Sequence, residues 1–155
     1  MLNTNHKISI ARLLCFAVMV ARKLFGLSAD VTVKRREIIW SLNLKEGIDF
    51  SIYLLGGFEV RTLKRYAQFV KEGDVVLDIG ANIGAHTLPL SQLVGKSGKV
   101  VAFEPTDYAF QKLQANLALN PVLALRTDAR QVMLMDSESD HIPPAVYSSC
   151  RVLKL

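Results

Sequence analysis

Val75-Val76-Leu77-Asp78-Ile79-Gly80-Ala81-Asn82-Ile83-Gly84 decides how this chain is read. Its first half is a short apolar run of the kind a buried parallel strand shows. A glycine-bearing turn follows, and residues 87–94 then read as a helix. Pro89 would cost about 3 kcal/mol inside a helix, so that helix is expected to begin near Ala85 with Pro89 early, or to kink there. Residues 100–103 make a second apolar strand. Thr106 or Asp107 can cap a helix running to about Leu119, Asn120-Pro121 ends it, and a third strand falls within residues 125–135. From Asp74 onward the order is β-α-β-α-β, the alternation of a doubly wound parallel α/β sheet.

Upstream, the pattern is different. Residues 8–25 read as a helix, with Leu13, Leu14, Ala17, Val18 and Ala21 at helical spacing and Gly26 as its C-cap behind Arg22 and Lys23. Residues 30–44 alternate loosely, as one or two short strands do. Glu46-Gly47 begins a turn, residues 53–58 are an apolar stretch broken by Gly56-Gly57, and residues 59–70 are helix-like. The expected organisation is a basic helical and short-strand segment at 1–71, then a partial cofactor-binding sheet at 72–155. Charge supports that division: residues 1–71 hold twelve Lys or Arg against five Asp or Glu, and residues 72–155 hold seven against nine.

The two cysteines, Cys15 and Cys150, make neither a disulfide framework nor a CxxC motif, which points to a reducing cytoplasm. His6, His86 and His141 lack metal-ligand spacing, so no metal is expected. The uncharged run at 13–21 is too short to span a bilayer, which takes about 20 residues. Positive charges follow it directly, and no cleavage pattern follows, which argues against an export signal. The helix at 8–25 packs on its own domain or lies against a membrane surface.

The chemistry lies in the turn. A dinucleotide site wants G-x-G-x-x-G here. This chain has Gly80, then Asn82 and Ala85 where the second and third glycines belong. Asp78 ends the strand, and a carboxylate there repels a pyrophosphate by about 4 kcal/mol per unit charge at ~4 Å and an effective dielectric near 20. S-adenosylmethionine reverses the sign, because its methionine end carries an ammonium and its sulfur is a cation. Glu104 ends the second strand, 26 residues after Asp78, where a carboxylate can accept from both ribose hydroxyls. Met133 and Met135 read as core, Trp40 as packing, and His86 as surface. Asp136 and His141 are candidate bases without a visible partner, so no catalytic residue is assigned.

Asp78-Ile79-Gly80-Ala81-Asn82-Ile83-Gly84, followed by Val101-Ala102-Phe103-Glu104-Pro105, resembles the FkbM-type family of S-adenosylmethionine-dependent methyltransferases. Glu46-Gly47-Ile48-Asp49 and residues 53–59 are similar to the segment before the cofactor domain in that family. The likeness covers residues 40–120 well, and residues 131–149 are similar to a subset of members. It implies a Rossmann-like class I methyltransferase sheet, here partial, with about three parallel strands and flanking helices behind an N-terminal helix and short strands. It further implies that Asp78, Gly80, Asn82 and Gly84 line the methionine end of the cofactor, that Glu104 holds the ribose, that Pro105 shapes the loop under the adenine, and that Gln131 is on the adenine side. Members typically methylate a hydroxyl oxygen.

From these readings the expected acceptor is a small-molecule or sugar hydroxyl, with no nucleic acid. A peripheral membrane contact through residues 8–25 and oligomerisation through an exposed sheet edge are the further partners considered. A class I sheet has more strands than the three placed here, and the run from Cys150 to Leu155 departs from the family, so a truncated, inactive product is one expectation. Two alternatives stand beside it: a nicotinamide- or nucleotide-binding oxidoreductase fragment, and a non-enzymatic interaction fragment that uses the basic N-terminal half.

Overall fold

The computed structural model describes residues 4–134, and of residues 4–8, 10 and 11 only the backbone. The polar loop expected at 136–144, together with Met135, Asp136, His141 and Cys150, lies outside the described residues.

Helix α1 (Thr4–Leu24) ends as its sequence suggests. Gly26 takes φ +67°, its N–H donates to the Lys23 carbonyl, and the Leu27 N–H donates to the Arg22 carbonyl, the bond pair of a Schellman ending. The helix packs on the protein through a narrow seam of Cys15, Val18 and Met19. Leu13 and Leu14, expected in its buried face, are exposed, as are Phe16 and Leu24. Cys15 is fully buried, and burial pushes its thiol pKa up.

Strands β1 (Asp30–Arg35) and β2 (Ile38–Asn43) form an antiparallel hairpin. Arg36 and Glu37 turn it with φ +48° and +65°, the handedness that strand twist favours in two-residue turns. Ile38, Trp40 and Leu42 point inward at period two and are buried. The next segment differs from its reading as a turn and an apolar stretch: Gly47–Leu55 is helix α2, ended by Gly56 at φ +77°. Its nine residues are too few for a helical stripe to be legible, and its one acid, Asp49, lies on the buried side. Helix α3 (Val60–Phe69) follows as expected.

The parallel sheet has the order β3-β4-β5, with β3 at Val75–Ile79, β4 at Lys99–Phe103 and β5 at Thr127–Arg130. Helix α4 (Thr87–Leu93) connects the first two strands and carries Pro89 in its first turn, where the missing N–H costs nothing. Helices α5 (Asp107–Ala118) and α6 (Pro121–Ala124) connect the second pair. β3 is not the doubly buried strand its composition suggests: Val75, Leu77 and Ile79 are 70%, 60% and 67% exposed. The physical reason is one-sided covering. Ala102 packs with Leu88 and Leu113, and Val100 packs with Leu90 and Val94, while the opposite face of the described sheet is open. Met133 is also exposed rather than core.

One hydrophobic cluster draws on both sides of the 71/72 boundary, joining Trp40, Leu42 and Phe50 to Ile83, Leu113 and Leu117. Asn116 of α5 and Asn120, just before α6, complete the hairpin. The Asn116 and Asn120 side-chain oxygens accept the Ser41 and Ile39 N–H groups at 2.8 and 2.9 Å, and the Asn116 amide donates to the Ile83 carbonyl at 3.0 Å. Buried Asp49 pairs with Lys112 and accepts the Asn43 N–H. Replacing Asn116 with Ala strands a backbone donor and a backbone acceptor, at about 1–3 kcal/mol each. Urea denaturation of Asn116→Ala is expected to show a loss of about 2–4 kcal/mol, and an unchanged midpoint would contradict the role assigned to this side chain.

Candidate functional site

The turn after β3 is tied to the end of β4 before any ligand is considered. The Gly80 and Ala81 N–H groups both donate to the Phe103 carbonyl at 2.9 Å. Gly80, Asn82 and Gly84 take φ of +80°, +48° and +92°. Asparagine tolerates this left-handed region better than most residues, and the Asn82 side-chain oxygen accepts the Ile83 N–H at 2.8 Å. The failed second position of the dinucleotide pattern is therefore a residue chosen for its own backbone.

Glu104 is buried, and its carboxylate is the turn's second fastening. Oε2 accepts the Asn82 N–H at 2.9 Å, while Oε1 accepts the Thr106 N–H at 2.9 Å and the Thr106 hydroxyl at 2.6 Å. A carboxylate offers about four acceptor positions, so one remains, on Oε2. That leaves capacity for one ribose hydroxyl where two were expected. Thr106, foreseen as a helix cap, spends its hydroxyl here and makes no side-chain cap bond. Asp78 accepts the Thr87 hydroxyl through Oδ2 at 2.5 Å, and its Oδ1 makes no hydrogen bond among the described residues.

The two glycines of the motif do different work. A Cβ on Gly80 would meet nothing within 4 Å, so this backbone is open to a ligand. A Cβ on buried Gly84 would lie 2.4 Å from Leu88 Cδ1 and 2.8 Å from Leu113 Cδ1. Gly84 is thus required for close packing of the turn on α4 and α5. Pro105 follows Glu104 directly, and exposed Gln131, just past β5, donates to Asp107 at the start of α5. Each follows the end of its strand, Pro105 two residues past β4 and Gln131 directly past β5.

Sequence reasoning missed the surroundings of Asp78. Thr87 is its hydroxyl partner, and a hydroxyl opening the helix after an acid-ended strand is a signal that would have found it. His86 is not the plain surface residue expected: its Nδ1 lies 3.1 Å from the Tyr66 hydroxyl, and its ring meets Phe58 and Tyr66 edge-on. No group of three or more His, Cys, Asp or Glu side chains fit to hold a metal ion occurs among the described residues, and none of their helices is long and apolar enough to cross a membrane.

A parallel sheet carrying acids at two neighbouring strand ends around a positive-φ turn is the Rossmann-like fold of class I methyltransferases. Residues 48–154 match the TRM5/TYW2 methyltransferase domain, and the chain belongs to that family. It is 32% identical over 79 residues to a probable cobalt-precorrin-6B C(15)-methyltransferase (decarboxylating) of Saccharolobus solfataricus, covering 48% of this chain and 40% of that one. It is 31% identical over 83 residues to protein-L-isoaspartate O-methyltransferase 2 of Archaeoglobus fulgidus, covering 54% and 36%. The chain thus spans about two-fifths of the length of these relatives. Among solved structures, the putative transferase PH0793 of Pyrococcus horikoshii superposes with a TM-score of 0.53 at 23% identity, over 75% of this chain and 46% of that one. TYW2 of P. horikoshii, in complex with MeSAdo, superposes at 0.51 and 22%, over 72% and 45%. Both likenesses are of fold.

The glycines can be separated by experiment. Gly84→Ala combines a positive φ with two close contacts and is expected to lose at least about 2 kcal/mol in urea unfolding. Gly80→Ala carries only the backbone term, about 1–2 kcal/mol. Equal losses would remove the distinction between a packing glycine and an open one.

Proposed function

We propose that this chain holds S-adenosylmethionine in the turn between β3 and α4 and is the cofactor-binding part of a methyltransferase. The observation that carries the reading is the placement of Asp78 and Glu104 at the C-terminal ends of adjacent parallel strands, each with acceptor capacity left, on either side of open Gly80. The cofactor supplies an electrophilic methyl group on a sulfonium. Asp78 Oδ1 accepts from its ammonium, Glu104 Oε2 from one ribose hydroxyl, and Pro105 and Gln131 border the adenine. The backbone of Gly80, Asn82 and Gly84 carries the methionine end across the turn. Two carboxylates here disfavour a pyrophosphate, which weighs against the oxidoreductase alternative.

For the acceptor, the family match supports a nucleic acid, in place of the earlier expectation of none. The family bears the name of Trm5, and aTrm5 has been solved in complex with tRNALeu. The excess of twelve basic over five acidic residues in residues 1–71 suits a polyanion. The second reading, O-methylation of a small-molecule or sugar hydroxyl, rests on the FkbM-type motifs at residues 78–84 and 101–105.

Titration calorimetry of the folded 155-residue chain with S-adenosylhomocysteine tests the cofactor site. Binding is expected, and Asp78→Ala should weaken it by about 10- to 100-fold, the worth of a hydrogen bond to a charged group. A folded sample that binds nothing overturns the proposal. Labelled tRNA tests the acceptor: affinity that falls steeply with salt is expected, and no binding at low salt returns the choice to the small hydroxyl.

A further inference from the structure

His86 stands two residues after Gly84, at the start of α4, and three neighbours hold its ring. Phe58 and Tyr66 meet it edge-on at centroid distances of 5.9 and 5.7 Å. The Tyr66 hydroxyl lies 3.1 Å from Nδ1, and the Glu59 carboxylate lies 3.9 Å from Nε2. The imidazole side chain is still 23% exposed, so a ligand can reach it. When the phenol donates to Nδ1, Nε2 carries the proton. At 3.9 Å, Glu59 is beyond hydrogen-bond reach, and that N–H is left available.

Glu59 is itself held in place. Its backbone is left-handed, with φ +49° and ψ +53°, a conformation that costs a residue with a Cβ about 1–2 kcal/mol. The Thr62 N–H donates to its carbonyl at 2.7 Å, and the Thr62 hydroxyl donates to Oε2 at 3.3 Å. Strain of this kind gathers where a side chain must be aimed. Burial first, and then the negative charges of Asp78 and Glu59, push the Tyr66 phenol pKa up. Asp78 of the glycine turn and Glu59 at the start of α3 thus both act on the same phenol through their charge.

Resting on the cofactor reading above, we propose that the Glu59–His86–Tyr66 group is a second clamp on the cofactor's methionine end. The His86 Nε2–H donates to the cofactor's carboxylate, Tyr66 fixes the imidazole, and Glu59 joins Asp78 around the ammonium. The charges suit this arrangement. The methionine end brings an ammonium and a carboxylate side by side, and Asp78 alone answers only the first.

Calorimetry with three ligands separates the parts: S-adenosylhomocysteine, its decarboxylated analogue (ammonium but no carboxylate), and methylthioadenosine (neither group). His86→Ala is expected to weaken S-adenosylhomocysteine about tenfold and to leave the other two within about twofold of wild type. Glu59→Gln should weaken both ammonium-bearing ligands and spare methylthioadenosine. Tyr66→Phe should follow His86→Ala with a smaller loss, and His86→Gln, which keeps a side-chain donor, should recover part of it. Urea midpoints establish that each variant is folded. A uniform loss across all three ligands assigns the group a structural role and overturns the clamp, as does a His86→Ala protein that binds S-adenosylhomocysteine like wild type. Failure of the wild-type chain to bind any of the three overturns the cofactor reading itself.

Discussion

The Glu104 carboxylate is the constraint on which the rest of this structure depends. A buried carboxylate is tolerable only when donors surround it, and Glu104 takes two backbone N–H groups and a hydroxyl from the two chain segments that leave the sheet beside it. One of those donors is Asn82, in the left-handed conformation. Together with the paired bonds from Gly80 and Ala81 to the Phe103 carbonyl, this sets where the turn lies over the strand ends. The position of α4, the angle of His86 and the reach of Thr87 to Asp78 follow from it. The residue read as a ligand-binding acid is therefore also the support of the loop that makes the binding site.

The central elements were legible because they rest on local chemistry. An apolar run ending in an acid, glycines at the positions of positive φ, and a proline in the first turn of α4 each announce a conformation that few other residues adopt. Glu104 was legible as a strand-end acid, but its internal bonds were not, since Asn82 is distant in sequence and no period links the two. The fine structure of the N-terminal half was harder to read. α2 is short and mostly apolar, its one acid, Asp49, is itself buried, and it presents no stripe. The link between Asn116, Asn120 and the edge of β2 spans 75 to 81 residues and uses a residue type more often met in turns. The Tyr66–His86 contact joins two helices whose sequences show only one ordinary phenol and one ordinary imidazole.

The open face of the sheet shows the limit of composition as a guide to burial. Val75, Leu77 and Ile79 have the β-branched and leucine content of a strand covered on both sides, yet in the described residues only the face of Val76 and Asp78 meets the helices. A strand's composition reports the environment it is suited to, and the cover must come from elsewhere in the chain or from a partner. The N-terminal elements do not supply it. The hairpin is committed to α5 through Asn116 and to the start of α6 through Asn120, and α2 is tied to α5 through Asp49 and Lys112. Cofactor cradle and N-terminal segment therefore share one side and one core.

That shared core bears on how substitutions at the site should be interpreted. Glu104 is buried and triply bonded, so its loss disturbs Asn82 and Thr106 before it removes a contact to any ribose, and weakened binding in such a variant mixes two effects. Asp78 is the cleaner probe. It is partly exposed, its internal bond is a single one to Thr87, and Oδ1 has no protein partner among the described residues. Gly80 is free of packing, since nothing lies where a Cβ would go, and its substitution carries only the cost of its φ of +80°. The motif thus divides into residues that build the turn, Asn82, Gly84 and Glu104, and residues that face outward from it, Asp78 and Gly80. Substitution in the second group disturbs less of the fold: the Thr87 hydroxyl for Asp78, and the backbone conformation alone for Gly80.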